Sequence, residues 1–273
     1  MFRSCPICSQ PAHQEAPHPD GWILRCPGCS HAFTDPNSPF LENYDETYFL
    51  ETHRNWFRHP NTTLFRRICG ILRAEEAEQG LLDVGCGRGD FLFYLEKNKP
   101  DFFLAGIDLA PLPNHPRIHF VSQDLFCWEP TCNYSVVTAL AVIEHVPDIQ
   151  GFLRKLRKFV KKEGRLVIMT LNEDSIVYEV ARKLQKVGFR GPFERLYSRH
   201  HRHHFTRRSL RYLVEKSSLT VEEHFTHNFP MAALDFPSRG SCLDLAQKAG
   251  VAALFGMGRL TGKAFLQTLI CRT

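Results

Sequence analysis

The stretch Leu81-Leu82-Asp83-Val84-Gly85-Cys86-Gly87-Arg88-Gly89-Asp90-Phe91-Leu92 decides the fold. It opens with a short apolar run holding one acid, places glycine at 85, 87 and 89, and passes into an apolar helical pattern at Phe91. Strand, glycine turn and helix together present main-chain amides at a helix N-terminus, because glycine lets the backbone turn sharply and lets a ligand approach it closely. A dinucleotide fingerprint would space its glycines Gly-x-Gly-x-x-Gly. Here the third glycine comes one residue early, and an acid stands two residues before the first. This is therefore a nucleotide loop of another kind.

The same alternation extends in both directions. Upstream, Leu64, Ile68, Ile71 and Leu72 recur at helical spacing, and Gly80 ends that helix. Downstream, the runs 103–108, 118–121, 135–140 and 165–170 read as buried parallel strands, with a helix over 149–162. Two further strands are expected near 220–225 and 265–271. This pattern predicts a doubly wound α/β sheet over 61–273, with ligands at the carboxyl edge of its strands. A lid is expected at about 173–204, containing a helix from Ser175 to Val187, and an insertion at about 230–263 that packs a helix between the last two strands. The segment 40–60 is a linker or cap, in which Tyr44 and Tyr48 either cover a ligand or simply pack.

The chain has 273 residues, 43% of them hydrophobic and 23% charged, which fits a globular protein with a proper core. No apolar run approaches the roughly 18 residues of a membrane-spanning helix. The N-terminus lacks the apolar core of a secretory signal, so a cytoplasmic location is expected. In a reducing compartment, ten cysteines point to metal or chemistry before disulfides. Cys5-Pro6-Ile7-Cys8 and Cys26-Pro27-Gly28-Cys29 form two Cys-x-x-Cys knuckles with 17 residues between them. Four thiolates match the tetrahedral preference of Zn(II), and a site with four protein ligands leaves no open position, so a structural zinc ribbon is expected over 1–39. Trp22 to Arg25 reads as its short strand. The other cysteines, Cys69, Cys86, Cys127, Cys132, Cys242 and Cys271, show no ligand spacing.

Net charge is +5, but residues 151–211 hold 17 Lys/Arg against 5 Asp/Glu. Such a contrast either solvates helix exteriors or steers an anionic partner. The stretch from Arg182 to Arg211 borders the expected acceptor entrance, which favours an anionic acceptor or a peripheral membrane contact.

The Asp-x-Gly-x-Gly-x-Gly form at 83–89 resembles motif I of the class I S-adenosylmethionine-dependent methyltransferases. Nineteen residues after Gly89, Asp108 ends the next strand, where the resemblance implies an acid accepting from the ribose hydroxyls. Asp124-Leu125 resembles the adenine-binding acid and the apolar residue after it. Val142-Ile143-Glu144-His145-Val146-Pro147 resembles the signature after the fourth strand, and Glu163 to Ile168 resembles the turn into the fifth. His201-Arg202-His203-His204-Phe205-Thr206 is similar to an element of the ubiquinone-biosynthesis-type O-methyltransferases. Tyr134-Ser135 departs from the Phe-Asp pair that commonly opens the fourth strand. The resemblance implies a Rossmann-like sheet of seven strands, mostly parallel with the last antiparallel. It further implies a cofactor site made by Asp83, Gly85, Cys86, Gly87, Gly89, Asp108, Leu109, Asp124, Leu125 and Leu140.

Methyl transfer to a hydroxyl needs alignment, exclusion of water and, where the acceptor must lose a proton, a base. His145, His201 and His204 are the candidates for a base or for positioning the acceptor, although His145 equally suits a loop-fixing hydrogen bond. His200 and His203 are expected to face outward with Arg199 and Arg202. With no carboxylate at matching spacing, a second metal is not expected at this cluster. The leading expectation is methylation of a small molecule on oxygen, with carbon and nitrogen as the other acceptor atoms. The alternatives are an RNA methyltransferase using the ribbon and the basic segment, and a non-catalytic module that only binds the cofactor. The missing Asn/Asp-Pro-Pro-Tyr and Pro-Cys features after the fourth strand weigh against nucleic acid.

Overall fold

The structure, a computed structural model, describes residues 3–37, 54–73, 80–198, 200–234 and 241–273. Its larger sheet has seven strands: β5 (Leu81–Val84), β6 (Leu104–Asp108), β7 (Ile118–Ser122), β8 (Tyr134–Leu140), β9 (Val160–Leu171), β11 (Thr220–His227) and β12 (Leu266–Arg272). The spatial order is β11-β12-β9-β8-β5-β6-β7. β5 pairs in parallel with β6 and β8, β6 with β7, and β8 with β9, whereas β12 runs antiparallel to β9 and β11. The expected Rossmann-like sheet is therefore present, and its reversed strand is the last. β5 is buried at all four positions and β8 at its first six, which explains why these strands read as continuous apolar runs and not as alternating ones.

Helices α2 (Thr62–Ile71), α3 (Asp90–Asn98), α4 (Ile149–Phe159), α5 (Ile176–Lys186) and α7 (Arg207–Lys216) are joined to this sheet by short connections. Helix α4 shows how the sequence sets such a helix. The Asp148 side chain caps it by accepting from Gly151 N, and Ile149, Phe152, Leu153 and Leu156 recur at i, i+3, i+4 and i+7 on its buried face. Burial of each of these large side chains contributes about 1.5–3 kcal/mol. Arg154, Arg157 and Lys158 stand on the outer face, so the basic residues here solvate a helix. Lys155 is the exception, buried and ion-paired to Glu129 at 2.6 Å. The insertion contributes a 3₁₀ turn (Met231–Ala233) and helix α8 (Ser241–Leu260), and α1 (Arg54–Arg58) lies beside that turn.

The N-terminal residues form a second sheet of five strands: β1 (Arg3–Ser4), β2 (Pro11–His18), β3 (Gly21–Arg25), β4 (Ala32–Thr34) and β10 (His203–His204). Its last strand comes from far along the chain, beyond helix α6 (Gly191–Leu196). Both knuckle turns are held from outside. Gln150 on α4 donates to Pro6 O at 2.6 Å, and on α7 Lys216 donates to Ile7 O at 2.7 Å and Arg208 to Gly28 O at 2.8 Å. Cys5, Ile7, Leu24 and Phe33 share one hydrophobic cluster with Leu82, Phe152 and Leu213, so the small sheet packs into the same core as the large one.

Candidate functional site

The carboxyl ends of β5, β6, β8 and β9 lie along one edge of the sheet, and the site is assembled there. Gly85, Gly87 and Gly89 all have positive φ, 68°, 55° and 83°. A Cβ on Gly85 would stand 2.4 Å from Val142 Cγ2, so that position excludes larger residues by both conformation and space. The amides of Gly85 and Cys86 donate to Ile107 O at 2.8 and 3.2 Å, which ties the loop to β6. Gly89 caps α3 in the left-handed conformation without a side-chain cap.

Asp108 stands beside this loop. Its Oδ2 accepts from Gly87 N at 2.8 Å and its Oδ1 from Ala110 N at 2.9 Å. Each carboxylate oxygen has a second lone pair, so the group is oriented without being saturated. Asp83 lies beneath the loop, buried, accepting from the Thr138 hydroxyl at 2.6 Å. Burial pushes its carboxyl up to about 7. Cys86 is buried, and the lack of water pushes its thiol up as well. Leu125 is buried in the core and Leu140 is half-buried, but Leu109 is 67% exposed. Asp124 is exposed, and its carboxylate accepts from Phe126 N at 2.9 Å within its own turn. The glycine loop and Asp108 are thus brought into direct contact, while Asp124 is occupied locally. Tyr44 and Tyr48 lie outside the described residues.

Beside the loop, β8 is followed by Ala141, a non-glycine residue at φ 59°. Such backbone costs on the order of 1–3 kcal/mol and concentrates at functional sites. It leads directly into Glu144 and His145. Glu144 is 1% exposed and accepts from the Thr170 hydroxyl at 2.9 Å, and burial pushes its carboxyl up to about 7. His145 Nδ1 lies 2.7 Å from His200 O. A carbonyl only accepts, so Nδ1 carries the proton, and Nε2 carries the lone pair when the ring is neutral.

The rings of His145 and His201 are 4.9 Å apart. Glu144, His145 and His201 each offer a ligand atom within 4.8 Å of the others. The carboxylate missing from the sequence reading is therefore Glu144, and the cluster has the composition to take a divalent cation or to pass a proton. Glu144 was visible as a member of its motif. Its adjacency to His201 depends on a loop that returns 57 residues later, which no local pattern encodes.

His203 departs from expectation. It faces inward, 5% exposed, with Nδ1 at 3.1 Å from His31 Nε2, and burial lowers its pKa to about 4. His204 is buried as well, its ring 4.5 Å from that of Tyr197 and 6.4 Å from that of His201. Neither of its ring nitrogens has a hydrogen-bond partner among the described residues, and burial holds it well below the usual imidazole range.

Beyond β9 lies a cluster that the sequence did not signal. Glu173, 1% exposed, accepts from Arg25 at 2.5 and 3.2 Å, from the Tyr197 hydroxyl at 2.5 Å and from Arg182. Several cations of 151–211 are ion-paired. Arg182 serves Glu173, Lys183 pairs with Glu179 at 2.8 Å, and Arg211 pairs with Glu215 at 2.7 Å. These pairs offset part of the basic excess of 151–211.

The four knuckle cysteines converge. Cys5 Sγ is 3.5 Å from Cys29 Sγ, Cys8 Sγ is 3.3 Å from Cys26 Sγ, and all four sulfurs lie within 4.8 Å of one another. A tetrahedral zinc with bonds of about 2.3 Å spaces its sulfurs about 3.8 Å apart. The donor set and its spacing fit that ion, and Ile7 N points at Cys5 Sγ from 3.4 Å.

A family model described as a methyltransferase domain matches residues 50–224. The chain is 29% identical over 121 residues to the ubiquinone biosynthesis O-methyltransferase of Xanthomonas oryzae pv. oryzae (strain PXO99A), covering 40% of this chain and 50% of that protein. It spans about half the length of the curated relatives it matches. Among solved structures, the plantazolicin methyltransferase BpumL, in complex with a triazolic desmethylPZN analog and SAH, has a TM-score of 0.55 at 18% identity. That match covers 84% of this chain and 93% of the other. The 1,6-didemethyltoxoflavin-N1-methyltransferase of Burkholderia thailandensis has a TM-score of 0.53 at 14% identity, covering 89% and 95%. These structural likenesses show the fold. With a family model that matches more than half of its length, this chain belongs to the methyltransferase domain family.

Proposed function

We propose that this chain transfers a methyl group from S-adenosylmethionine to the oxygen of a small-molecule acceptor. The observation that carries the reading is the pairing, along one sheet edge, of an oriented acid on a glycine loop with a cluster of one carboxylate and two imidazoles. The related O-methyltransferase and the SAH-bound structures support it.

The residues present fit the cofactor. Asp108, oriented by the amides of Gly87 and Ala110, keeps a second lone pair on each oxygen for two ribose hydroxyls. Asp83 lies below the loop, Cys86, Gly85 and Gly89 shape it, and Leu109, Leu125, Leu140 and Asp124 border the place expected for the adenine. When bound, S-adenosylmethionine supplies an electrophilic methyl group, so the chain needs no nucleophile of its own.

The histidine side then handles the acceptor. His145, with Nδ1–H fixed on His200 O, presents Nε2 to take a proton from an acceptor hydroxyl, and His201 stands beside it to share or relay that proton. Glu144, once ionised, balances the charge that an imidazolium would bring. A divalent cation on Glu144, His145 and His201 would instead lower the pKa of the acceptor hydroxyl. The buried nitrogens of His204 offer hydrogen bonds to a polar acceptor group, which would remove a desolvation cost of about 1–3 kcal/mol.

Zinc on Cys5, Cys8, Cys26 and Cys29 is structural in this reading, and residues 1–39 are a ribbon attached to the methyltransferase domain at 61–273. The turn after α5 carries Val187 at 80% and Phe189 at 59% exposure beside Lys186 and Arg190, the composition of a peripheral membrane contact.

The test is titration calorimetry with S-adenosylmethionine and S-adenosylhomocysteine. The intact protein should bind both. Asp108→Ala should weaken binding by about 100-fold or more, since two charge-assisted hydrogen bonds are each worth about 1.5–3 kcal/mol. No binding by the intact protein would remove the basis of the reading. Labelled cofactor with bulk RNA should give no transfer, and efficient labelling of RNA would replace the small-molecule acceptor.

A further inference from the structure

The N-terminal sheet is completed by a strand that belongs to the histidine side of the site. Strand β4 follows the second cysteine knuckle, and β10 follows His201. They pair antiparallel, His203 opposite Phe33 and His204 opposite Ala32. Thr34 grips the start of this strand twice, its amide donating to Arg202 O at 3.0 Å and its hydroxyl to His201 O at 3.1 Å. His31 bonds His203 at 3.1 Å and stacks on it with ring centres 5.3 Å apart.

The other flank of the same segment is held by the loop after β8. The amides of Arg202 and His203 donate to Glu144 O at 2.8 and 3.1 Å, and His145 donates to His200 O. Residues 200–204 are thus clamped between the cysteine sheet and Glu144-His145. A two-residue strand has little stability of its own and keeps the place its neighbours give it. A second tie runs from β3, where Arg25 closes on the buried Glu173 together with Arg182 and Tyr197. The glycine loop is supported differently, by Ile107 and Asp108 of β6 and by Thr138 of β8.

We propose that the cysteine sheet is the brace of the acceptor side, with Thr34 and His31 as positioning residues that set where His201 stands against Glu144 and His145. The metal state of Cys5, Cys8, Cys26 and Cys29 then governs the geometry of the acceptor side and leaves the cofactor side intact. The proposal rests on the reading of Glu144, His145 and His201 as the acceptor side.

Hydrogen exchange read by mass spectrometry tests it on the full chain, zinc-loaded and after chelation. Stripping zinc should speed exchange in 142–146 and 198–206 by roughly tenfold or more, as expected for local opening, with little change in 81–110. The affinity for S-adenosylhomocysteine should stay within about twofold, well under the tenfold that 1.4 kcal/mol would cause. Thr34→Val with its zinc retained should speed exchange in 198–206, and Thr34→Ser should restore protection.

Acceleration confined to residues 3–34, or spread equally through 81–110, would overturn the brace. So would an unchanged 198–206 in Thr34→Val. A protein that shows the exchange pattern but binds no S-adenosylhomocysteine would keep the brace and sink the functional reading instead.

Discussion

The two sides of the site are built in opposite ways. The glycine side is one unbroken stretch, Asp83 to Asp90, with a single acid nineteen residues after Gly89, and its contacts come from adjacent strands. The histidine side is gathered from β4, the loop after β8, the end of β9 and β10, with the His31–His203 contact spanning 172 residues. Local construction makes the first side robust and readable. Distant construction makes the second adjustable, because each histidine depends on several segments arriving together.

That contrast can be broken by experiment. The largest expected effect is the loss of cofactor binding in Asp108→Ala, since one side chain there orients the whole loop. Next is Cys26→Ser. Metal analysis should find one zinc per chain in the parent protein and none in the variant, and thermal unfolding should show the N-terminal sheet destabilised. A Cys26→Ser protein that keeps its zinc would show that the four sulfurs do not act as one site.

Gly85→Ala should cost about 1–3 kcal/mol in denaturant unfolding, from a left-handed φ and the contact with Val142. A neutral result would mean that the loop relaxes and is less constrained than its conformation implies.

Asp83 gives a pH signature specific to the glycine side. Its folded pKa, about 7, lies above the ordinary carboxyl value of 3.8, so its contribution to stability is full below about pH 4 and is lost as pH rises through 7. The ligand-free protein should therefore lose stability between about pH 4 and pH 7 as this group ionises. Asp83→Asn should flatten that slope, and an unchanged slope would place the titration elsewhere. The smallest effect belongs to the surface of α5. Lys183→Ala removes an exposed i,i+4 pair with Glu179 and should leave the unfolding midpoint nearly unchanged, which thermal unfolding checks.

How much of this was legible in the sequence follows the same division. The seven-stranded sheet could be read because β5, β8 and β9 are buried on both faces and therefore appear as apolar runs. Helix α4 could be read because its cap and stripe are local. Asp108 could be read because it ends a strand at a fixed distance from the glycines. β10 could not, since two residues carry no periodicity and their partner strand lies near the other end of the chain. His203 was expected outward for that reason, and its burial follows from His31. Glu144 stood in plain view beside His145, yet its role needed the position of His201. Glu173 and Arg25 are 148 residues apart and share no motif at all.

The pairing of β4 with β10 also orders the folding of the chain. Contacts so distant in sequence close late, because the loop between them must be organised first. The cysteine knuckles leave the ribosome well before β10, and the sheet that carries them cannot gain its fifth strand until residue 204 has been made. Until then β4 is an open edge beside two cysteine turns, and early capture of a metal would protect that edge while it waits.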